Sequence, residues 1–254
     1  MMTNSKFSRF FYQTLCCLIL FFTTSTAHAI DHKGMALGLF AKDMNYSYEN
    51  DLREMKKLGV THILLVVSWY QQNVNANEIR PLPFNGQDNS TIPDTKLREV
   101  IRQANQMGIK SMLFPILRIE VRKGKDWRGV IAPTDLNAWW QSYEKFVLHY
   151  LQIATQEGVP LFSVGSELLS REKDTTQWKN LIQKVRRQYV GKLVYSSNWD
   201  HYQHPEFWEM LDYIGVTAYH ELTKTKTPTL EQLKQGWVKI KTDLLTWKAK
   251  YPKQ

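Results

Sequence analysis

The chain has 254 residues and a net charge of +9, with 33 Lys and Arg against 24 Asp and Glu. Its two cysteines, Cys16 and Cys17, lie in an amino-terminal apolar stretch, so residues 30–254 contain no thiol for a disulfide, a nucleophile or a metal ligand. The basic residues are scattered over separate segments, which argues against a nucleic-acid partner and indicates a solvated helical exterior.

The first 29 residues are typical of a signal peptide. Lys6 and Arg9 precede an apolar stretch at residues 15–22, and Ala27-His28-Ala29 has the small-x-small pattern of a cleavage site. The stretch is too short for an ordinary transmembrane helix. We therefore expect cleavage before residue 30, a periplasmic or extracellular location, and no stable membrane insertion of the single domain at residues 30–254.

The first half of that domain alternates β-favouring runs with helical patterns. One helix is predicted over residues 47–58 and a second, capped by Asp94, over residues 94–107. Gly59 and Gly108 end them, because glycine readily adopts the left-handed conformation that follows a helix. Strands are predicted at residues 33–40, 60–67 and 109–117.

The second half continues the same pattern. Thr134 and Asp135 are expected to cap a helix that ends at Gly158, and an apolar run at residues 159–166 follows as a strand. Further helices are predicted over residues 174–189 and 229–251, with a short helical stretch at 205–211 and strands at 192–197 and 212–219.

Six strands alternating with helices indicate an α/β fold of right-handed βαβ units. An open doubly wound sheet and a (β/α)8 TIM-type barrel both fit this alternation. Residues 38–41 do not form the G-x-G-x-x-G turn of a nucleotide-binding sheet, so we favour the barrel. A complete barrel takes about 250 residues. The prediction is therefore an incomplete barrel of about six β/α units.

Glu167 follows directly after the apolar run at residues 159–166. In parallel α/β folds, the carboxyl ends of the strands build the active site, so an acid at this place is a candidate catalytic group. The alternative is a carboxylate that only faces solvent and the dipole of the next helix.

Aromatic and polar side chains follow the other predicted strand ends. Aromatic faces stack on the apolar faces of sugar rings, while amide, guanidinium and hydroxyl groups reach sugar hydroxyls. This inventory predicts a carbohydrate cleft and a polysaccharide or oligosaccharide partner. The predicted substrate-binding residues are Trp69, Arg118, Trp127, Ser166, Asn198, Trp199 and Tyr219.

Other chemistries have little support in the sequence. Asp200, His201 and His204 could be drawn as metal ligands, but a polar loop capping the next helix is the favoured interpretation. The segment at residues 165–167 lacks the second glycine of a G-x-S-x-G nucleophile elbow. We therefore predict no metal and no cofactor.

Three segments carry a family resemblance: FSVGSEL at residues 162–168, YSSNW at 195–199 and DYIGVTAY at 212–219. In this order they are similar to the retaining glycoside hydrolases of family 113, and the resemblance extends over residues 34–254. It implies a TIM barrel with catalytic glutamates on strands four and seven, activity of the β-mannanase type, and Glu167 as the acid/base. Ser166 stands where much of the clan has Asn, which implies an altered contact with the sugar 2-hydroxyl.

The resemblance also implies a nucleophile on strand seven, which should begin just after residue 254. A retaining glycosidase needs two carboxyl groups about 5–5.5 Å apart. Glu221 is a weak substitute, because it lies beyond the strand-six segment. Two hypotheses follow: an exported glycoside hydrolase acting on a β-linked, mannan-like polysaccharide, and a non-catalytic carbohydrate-binding barrel remnant.

Overall fold

A computed structural model describes residues 32–86 and 90–254. The predicted signal peptide at residues 1–29 and the cleavage site before residue 30 lie outside the described residues. Every element below belongs to one compact unit, Lys33–Gln254. Within the described ranges, no helix is both long and apolar enough to cross a membrane.

Six parallel strands form one sheet, and each strand pairs with the next one along the chain, in the order β1-β2-β3-β4-β5-β6. The longest register joins β2 to β3 over ten consecutive positions. The strands are β1 (Gly34–Gly38), β2 (His62–Gln71), β3 (Lys110–Ile119), β4 (Leu161–Ser166), β5 (Lys192–Asn198) and β6 (Tyr213–Thr217).

Helices connect the first five strands and a 3₁₀ turn lies between β5 and β6, and some of the helix ends follow from local chemistry. The Asp135 carboxylate accepts a hydrogen bond from the Ala138 N–H and caps the third helix, as predicted. Thr229 and Gln232 form a reciprocal capping box at the last helix. The helices are α1 (Glu49–Lys57), α2 (Asp94–Gln106), α3 (Leu136–Gln156), α4 (Leu169–Glu172), α5 (Thr175–Arg186) and α6 (Leu230–Lys248), with 3₁₀ turns at Arg128–Val130 and Trp208–Met210.

The main core lies between one face of the sheet and the helices. In β2 the alternate residues Ile63, Leu65 and Val67 are fully buried, whereas Leu64 and Val66 between them are half-buried. This period of two follows from the strand pleat, which directs successive side chains to opposite faces. The first set packs under the helices, and the second set lines the inner face of the sheet.

The inner face is incompletely covered because the sheet is open. Within the described residues, β1 pairs only with β2 and β6 only with β5. All five residues of β6 are half-buried, whereas the five central residues of β5, at 193–197, are buried. The six parallel strands follow one another in chain order, as in a TIM-type barrel, and do not reverse direction along the sheet as in a doubly wound fold. The predicted incomplete TIM-type barrel of about six β/α units is confirmed.

Some local predictions were wrong, and one element was missed. Strands β2 and β3 continue to Gln71 and Ile119, so Trp69 and Arg118 lie inside strands and not in the loops after them. Pro93, not Asp94, occupies the cap position of α2, and Asp94 is the first helical residue. The short helix α4, which follows β4 immediately, was not predicted.

Candidate active site

Glu167 is the first residue after β4, at the carboxyl edge of the sheet. Its backbone has a positive φ of 53°, and among the described residues it is the only non-glycine residue with positive φ. Such a conformation costs on the order of 1–3 kcal/mol and persists where the surroundings hold it. The Glu167 N–H donates to the Ser196 carbonyl at 2.8 Å, which ties the strained residue to β5.

The Glu167 side chain is nearly buried and has two polar partners. The Thr217 hydroxyl, at the end of β6, donates to Oε1 at 2.5 Å. The Arg128 guanidinium lies 3.1 Å from Oε2. Side-chain exposure is 11% for Glu167 and 26% for Arg128, so the ion pair is largely withdrawn from water, where charge interactions are stronger. The solvent-facing alternative for Glu167 is therefore wrong.

Arg128 reaches this site from the long loop between β3 and α3, where it begins a 3₁₀ turn. Its Nη2 faces Glu167, while its Nε is buried without a hydrogen-bond partner in the described part of the chain. The indole of Trp127 covers Gly129 so closely that a Cβ on Gly129 would lie 2.3 Å from the ring. A larger residue at position 129 would displace this ring, so the packing of Trp127 on Gly129 helps to hold the turn that carries Arg128.

The end of β5 lies between Glu167 and β6. Ser166 is buried and pairs in register with Ser196, while Asn198 is half-buried at the end of its strand. The Thr217 hydroxyl lies 3.3 Å from the Ser197 carbonyl and 3.4 Å from Asn198 Oδ1. The structure thus brings two predicted site residues, Ser166 and Asn198, next to Glu167.

Aromatic side chains extend this edge toward solvent. Trp199 follows β5 and is 37% exposed, and its ring contacts His220 edge-on at a centroid distance of 5.4 Å. His220 also faces Trp237 of α6 at 6.4 Å. Tyr219 is 80% exposed. Trp199 and Tyr219 therefore present free ring surface near the end of β6, whereas Trp127 is half-buried against its own loop.

Two other predicted site residues, Arg118 and Trp69, lie within strands and pack against neighbouring side chains. Arg118, in β3, stacks over the rings of Phe40 and Tyr70 and donates to the Tyr70 hydroxyl at 3.3 Å. Trp69 is only 8% exposed and packs against Phe146, with a centroid distance of 5.6 Å. Because Trp69 belongs to the core under α3, packing accounts for this side chain.

A second buried carboxylate lies behind the strand ends. Glu172, the last residue of α4, is 1% exposed. Its Oε1 accepts hydrogen bonds from the Tyr195 hydroxyl at 2.8 Å and the Ser197 hydroxyl at 2.9 Å, and its Oε2 lies 2.8 Å from His201 Nδ1. Three polar partners compensate for the burial of this carboxylate.

The Tyr195 hydroxyl is also a hydrogen-bond acceptor, from the Leu168 N–H at 3.0 Å. Burial, reinforced by the nearby Glu172 carboxylate, raises the pKa of Tyr195 well above its usual value. The phenol therefore remains protonated at neutral pH and donates its single proton to Glu172.

Glu221, the candidate substitute nucleophile, lies in the exposed loop after β6. Within the described residues it makes neither a hydrogen bond nor an ion pair, and it has no contact that places it beside Glu167. His201 and His204 stack on each other at 3.9 Å. In the described ranges, no three His, Cys, Asp or Glu side chains are grouped so as to hold a metal ion.

Sequence reasoning missed three residues of the site. Arg128 lies in an irregular loop, and nothing in its local pattern distinguishes it from other surface arginines. Glu172 lies in a predicted loop, where burial was not expected. Thr217 is part of the DYIGVTAY segment, and its place near the carboxyl end of the strand predicted at residues 212–219 was the one available signal.

Comparison with known proteins identifies a family for this chain. The family model described as Glycoside Hydrolase Family 113 matches residues 35–248. Among curated proteins, no significant match is found.

Solved structures give matches to the fold. The chain is similar to the family 113 β-mannanase AaManA from Alicyclobacillus acidocaldarius, with a TM-score of 0.68 and 24% identity over 75% of this chain and 62% of that one. A family 113 β-1,4-mannanase matches with a TM-score of 0.67 and 24% identity, over 83% and 68%. Fungal β-1,4-galactanases match with a TM-score of 0.52 and 15% identity, over 86% and 71%. The chain thus spans about three fifths of the length of the first of these proteins.

Proposed function

This chain belongs to glycoside hydrolase family 113, and we propose that it hydrolyses a β-linked mannan with Glu167 as the acid/base residue. The observation that carries the proposal is the carboxylate of Glu167 at the end of β4, nearly buried and held by Thr217 and Arg128. The solved family 113 proteins that resemble the chain are described as β-mannanases, which supports mannan as the substrate.

The proposed chemistry is that of a retaining glycosidase. A nucleophilic carboxylate bonds to the anomeric carbon while the glycosidic C–O bond breaks, and Glu167 gives its proton to the leaving oxygen. Water then attacks the glycosyl intermediate, Glu167 takes a proton from it, and the nucleophile is released. In this scheme Arg128 neutralises Glu167 when it is ionised, and Thr217 fixes the position of Oε1.

The substrate surface would continue from Glu167 toward the exposed rings. Trp199 and Tyr219 have free faces for stacking on sugars, and Ser166 and Asn198 supply hydrogen-bonding groups beside the carboxylate. Contacts of Trp127 and Arg118 with the sugar remain part of the proposal, with weaker support from their packing. Trp69 is the least supported, because it is buried under α3.

The surroundings of Glu167 also support a second candidate function, carbohydrate binding without hydrolysis. Its side-chain partners are a hydroxyl and a guanidinium, and neither can serve as the nucleophilic carboxylate. A carbohydrate-binding barrel that does not hydrolyse its ligand would need only the rings and polar groups of the strand ends. Both functions predict binding of β-linked mannan oligosaccharides.

The test is an assay of reducing-end release from β-1,4-mannan by the protein and by Glu167→Gln, with Glu221→Gln to test the substitute nucleophile. Turnover that is lost in Glu167→Gln supports the hydrolase. With an aryl mannoside, azide should restore turnover to Glu167→Ala, because azide needs no general base. Oligosaccharide binding without turnover would favour the binding function, and neither binding nor turnover would contradict both.

Export completes the proposal. The charged start, short apolar stretch and small-x-small site within residues 1–29 support secretion to the periplasm or the medium. The amino-terminal sequence of the protein recovered from the periplasm or culture medium tests this: a start at Ile30 supports it, and intact protein retained inside the cell contradicts it.

A further inference from the structure

We propose that Tyr195 and Glu172 are positioning residues for Glu167, acting through the backbone of the residue that follows it. The inference rests on the proposed acid/base role of Glu167. Within residues 32–86 and 90–254, neither side chain bonds to the Glu167 carboxylate, whose partners there are Thr217 and Arg128. Their effect on the site would pass through the Leu168 amide.

Two anchored peptide groups bracket the strained residue. The Glu167 N–H donates to the Ser196 carbonyl at 2.8 Å, and the Leu168 N–H donates to the Tyr195 hydroxyl at 3.0 Å. The first group lies before the Glu167 Cα and the second after it, so together they restrain both backbone torsions of Glu167. Because its φ of 53° is unfavourable for a residue with a side chain, loss of either anchor would let the backbone relax.

Glu172 determines which way the Tyr195 hydroxyl points. The single phenol proton is directed at Glu172 Oε1, so a lone pair of the phenol oxygen is left to accept from the Leu168 N–H. An amide at position 172 could instead present an N–H to the phenol. The phenol oxygen would then have to accept from two donors or turn away from Leu168.

Further contacts hold Glu172 in this position. Ser197 donates to the same oxygen, and His201 Nδ1 lies 2.8 Å from the other one. The Glu172 N–H donates to the Leu168 carbonyl at 3.0 Å, so α4 starts from the same residue whose N–H Tyr195 anchors. The arrangement is a closed network from β5 through α4 back to the residue beside Glu167.

The sequence supplies a matched control for Tyr195→Phe. The hydroxyl of Tyr189 is also buried and donates to the Val159 carbonyl at 2.6 Å, but just before the amino end of β4. Tyr189→Phe removes the same atom from the same kind of buried site at the opposite edge of the sheet. A general loss of stability should affect both variants, whereas a positioning effect should appear only in Tyr195→Phe.

The experiment measures kcat/KM on two substrates that differ in their need for an acid. A mannan oligosaccharide has a poor leaving group that must be protonated. The dinitrophenolate group of a dinitrophenyl mannoside leaves without a proton. For Tyr195→Phe and Glu172→Gln we expect a loss of about 10- to 100-fold on the oligosaccharide, and less than about 3-fold on the dinitrophenyl substrate, because its first step bypasses the acid. Tyr189→Phe should leave the ratio of the two values unchanged. Equal losses on both substrates, or none, would overturn the proposal.

A second readout separates this proposal from the proposed function. The Leu168 amide proton should shift and exchange faster in Tyr195→Phe and Glu172→Gln than in Tyr189→Phe, measured by NMR on the folded full chain. If the unmodified protein does not hydrolyse mannan, the acid/base function is contradicted. The shift and exchange rate of the Leu168 amide proton still show whether Tyr195 and Glu172 hold the backbone beside Glu167. An amide unchanged in both variants would overturn the positioning role whatever the activity.

Discussion

The hydroxyl of Thr217 lies 2.5 Å from Oε1 of Glu167, and this contact joins the last strand of the sheet to the end of β4 across β5. The same hydroxyl oxygen lies 3.4 Å from Asn198 Oδ1, so three strand ends meet around one hydroxyl group. Because β6 is paired on one side only, the position of the carboxylate depends on a strand that lacks a second partner in the described part of the sheet.

Removing this hydroxyl should weaken the site with little change in shape. In Thr217→Val the Glu167 carboxylate loses one charge-assisted hydrogen bond, a contact of about 1.5–3 kcal/mol, so we expect kcat/KM on mannan oligosaccharides to fall roughly 10- to 100-fold. Thr61→Val, at the opposite edge of the sheet, is the control and should keep its activity. Full activity in Thr217→Val would show that Arg128 alone positions the carboxylate.

Trp199 should contribute to sugar binding and little to stability. Its ring is 37% exposed, so Trp199→Ala should weaken oligosaccharide binding measured by calorimetry while lowering the free energy of unfolding by much less than the roughly 3–5 kcal/mol of a core tryptophan. Trp208→Ala is the comparison, because Trp208 is fully buried and donates to the Tyr202 carbonyl. Equal losses of stability in the two variants would contradict a surface role for Trp199.

Asp212 should make the stability of the fold depend on pH. Burial disfavours its ionised form, but hydrogen bonds from the Leu193 N–H, Arg186 and Lys192 outweigh that effect, and the pKa of Asp212 is lowered. A lowered pKa in the folded state gives stability that is present above the unfolded-state value near 4 and is lost as pH falls toward the folded-state value. Asp212→Asn should therefore cost about 1 kcal/mol at pH 7, since solvent screens the exposed cations.

Urea denaturation of both proteins at several pH values checks this dependence. The difference in stability between the protein and Asp212→Asn should shrink as pH falls below about 4. Asp243→Asn, on the exposed face of α6, is the control and should show little difference at any pH. A difference for Asp212→Asn that is constant with pH would contradict the role of its charge.

Gly236→Ala should lower the stability of the protein, the reverse of the usual effect of replacing a helical glycine by alanine. Replacing a helical glycine by alanine ordinarily stabilises by about 1 kcal/mol. A Cβ at Gly236 would lie 2.1 Å from the Leu222 carbonyl oxygen, so the loop after β6 would have to move. Because overpacking costs about 1–3 kcal/mol, we expect Gly236→Ala to lower the melting temperature, while Gln235→Ala beside it does not. An increase in Gly236→Ala would show that the loop yields easily.

The sequence predicted the alternation of strands and helices because apolar periodicity and helix-ending glycines are local signals. Gly59, Gly108 and Gly158 all adopt positive φ at helix ends, and Glu167 follows a buried strand as expected. Strand length was less predictable. The second strand was predicted to end at residue 67, with a loop starting at Ser68. Pairing with β3 extends this strand through Ser68 and Tyr70 to Gln71.

The partners of Glu167 were harder to predict because they come from distant parts of the chain. Arg128 lies 39 positions before it and Thr217 lies 50 positions after it. Neither has a local pattern that marks a catalytic group. The buried Glu172 was missed for a related reason. The hydrogen bonds that compensate for burial of its carboxylate come from Tyr195 and His201, which reach it only when β5 is paired with β4.

The consecutive order of the six strands bears on how the chain acquires its structure. Each strand pairs with the next strand along the chain, so no ladder requires a partner from further away in the strand order. Each parallel ladder still needs its whole crossover segment in place, which makes such sheets slower to fold than structures built from local contacts. All residues of the ten-residue register between β2 and β3 precede β4 in the chain. If the carboxyl-terminal strands add one at a time to an existing edge, the Thr217 contact with Glu167 is expected to be among the last to form.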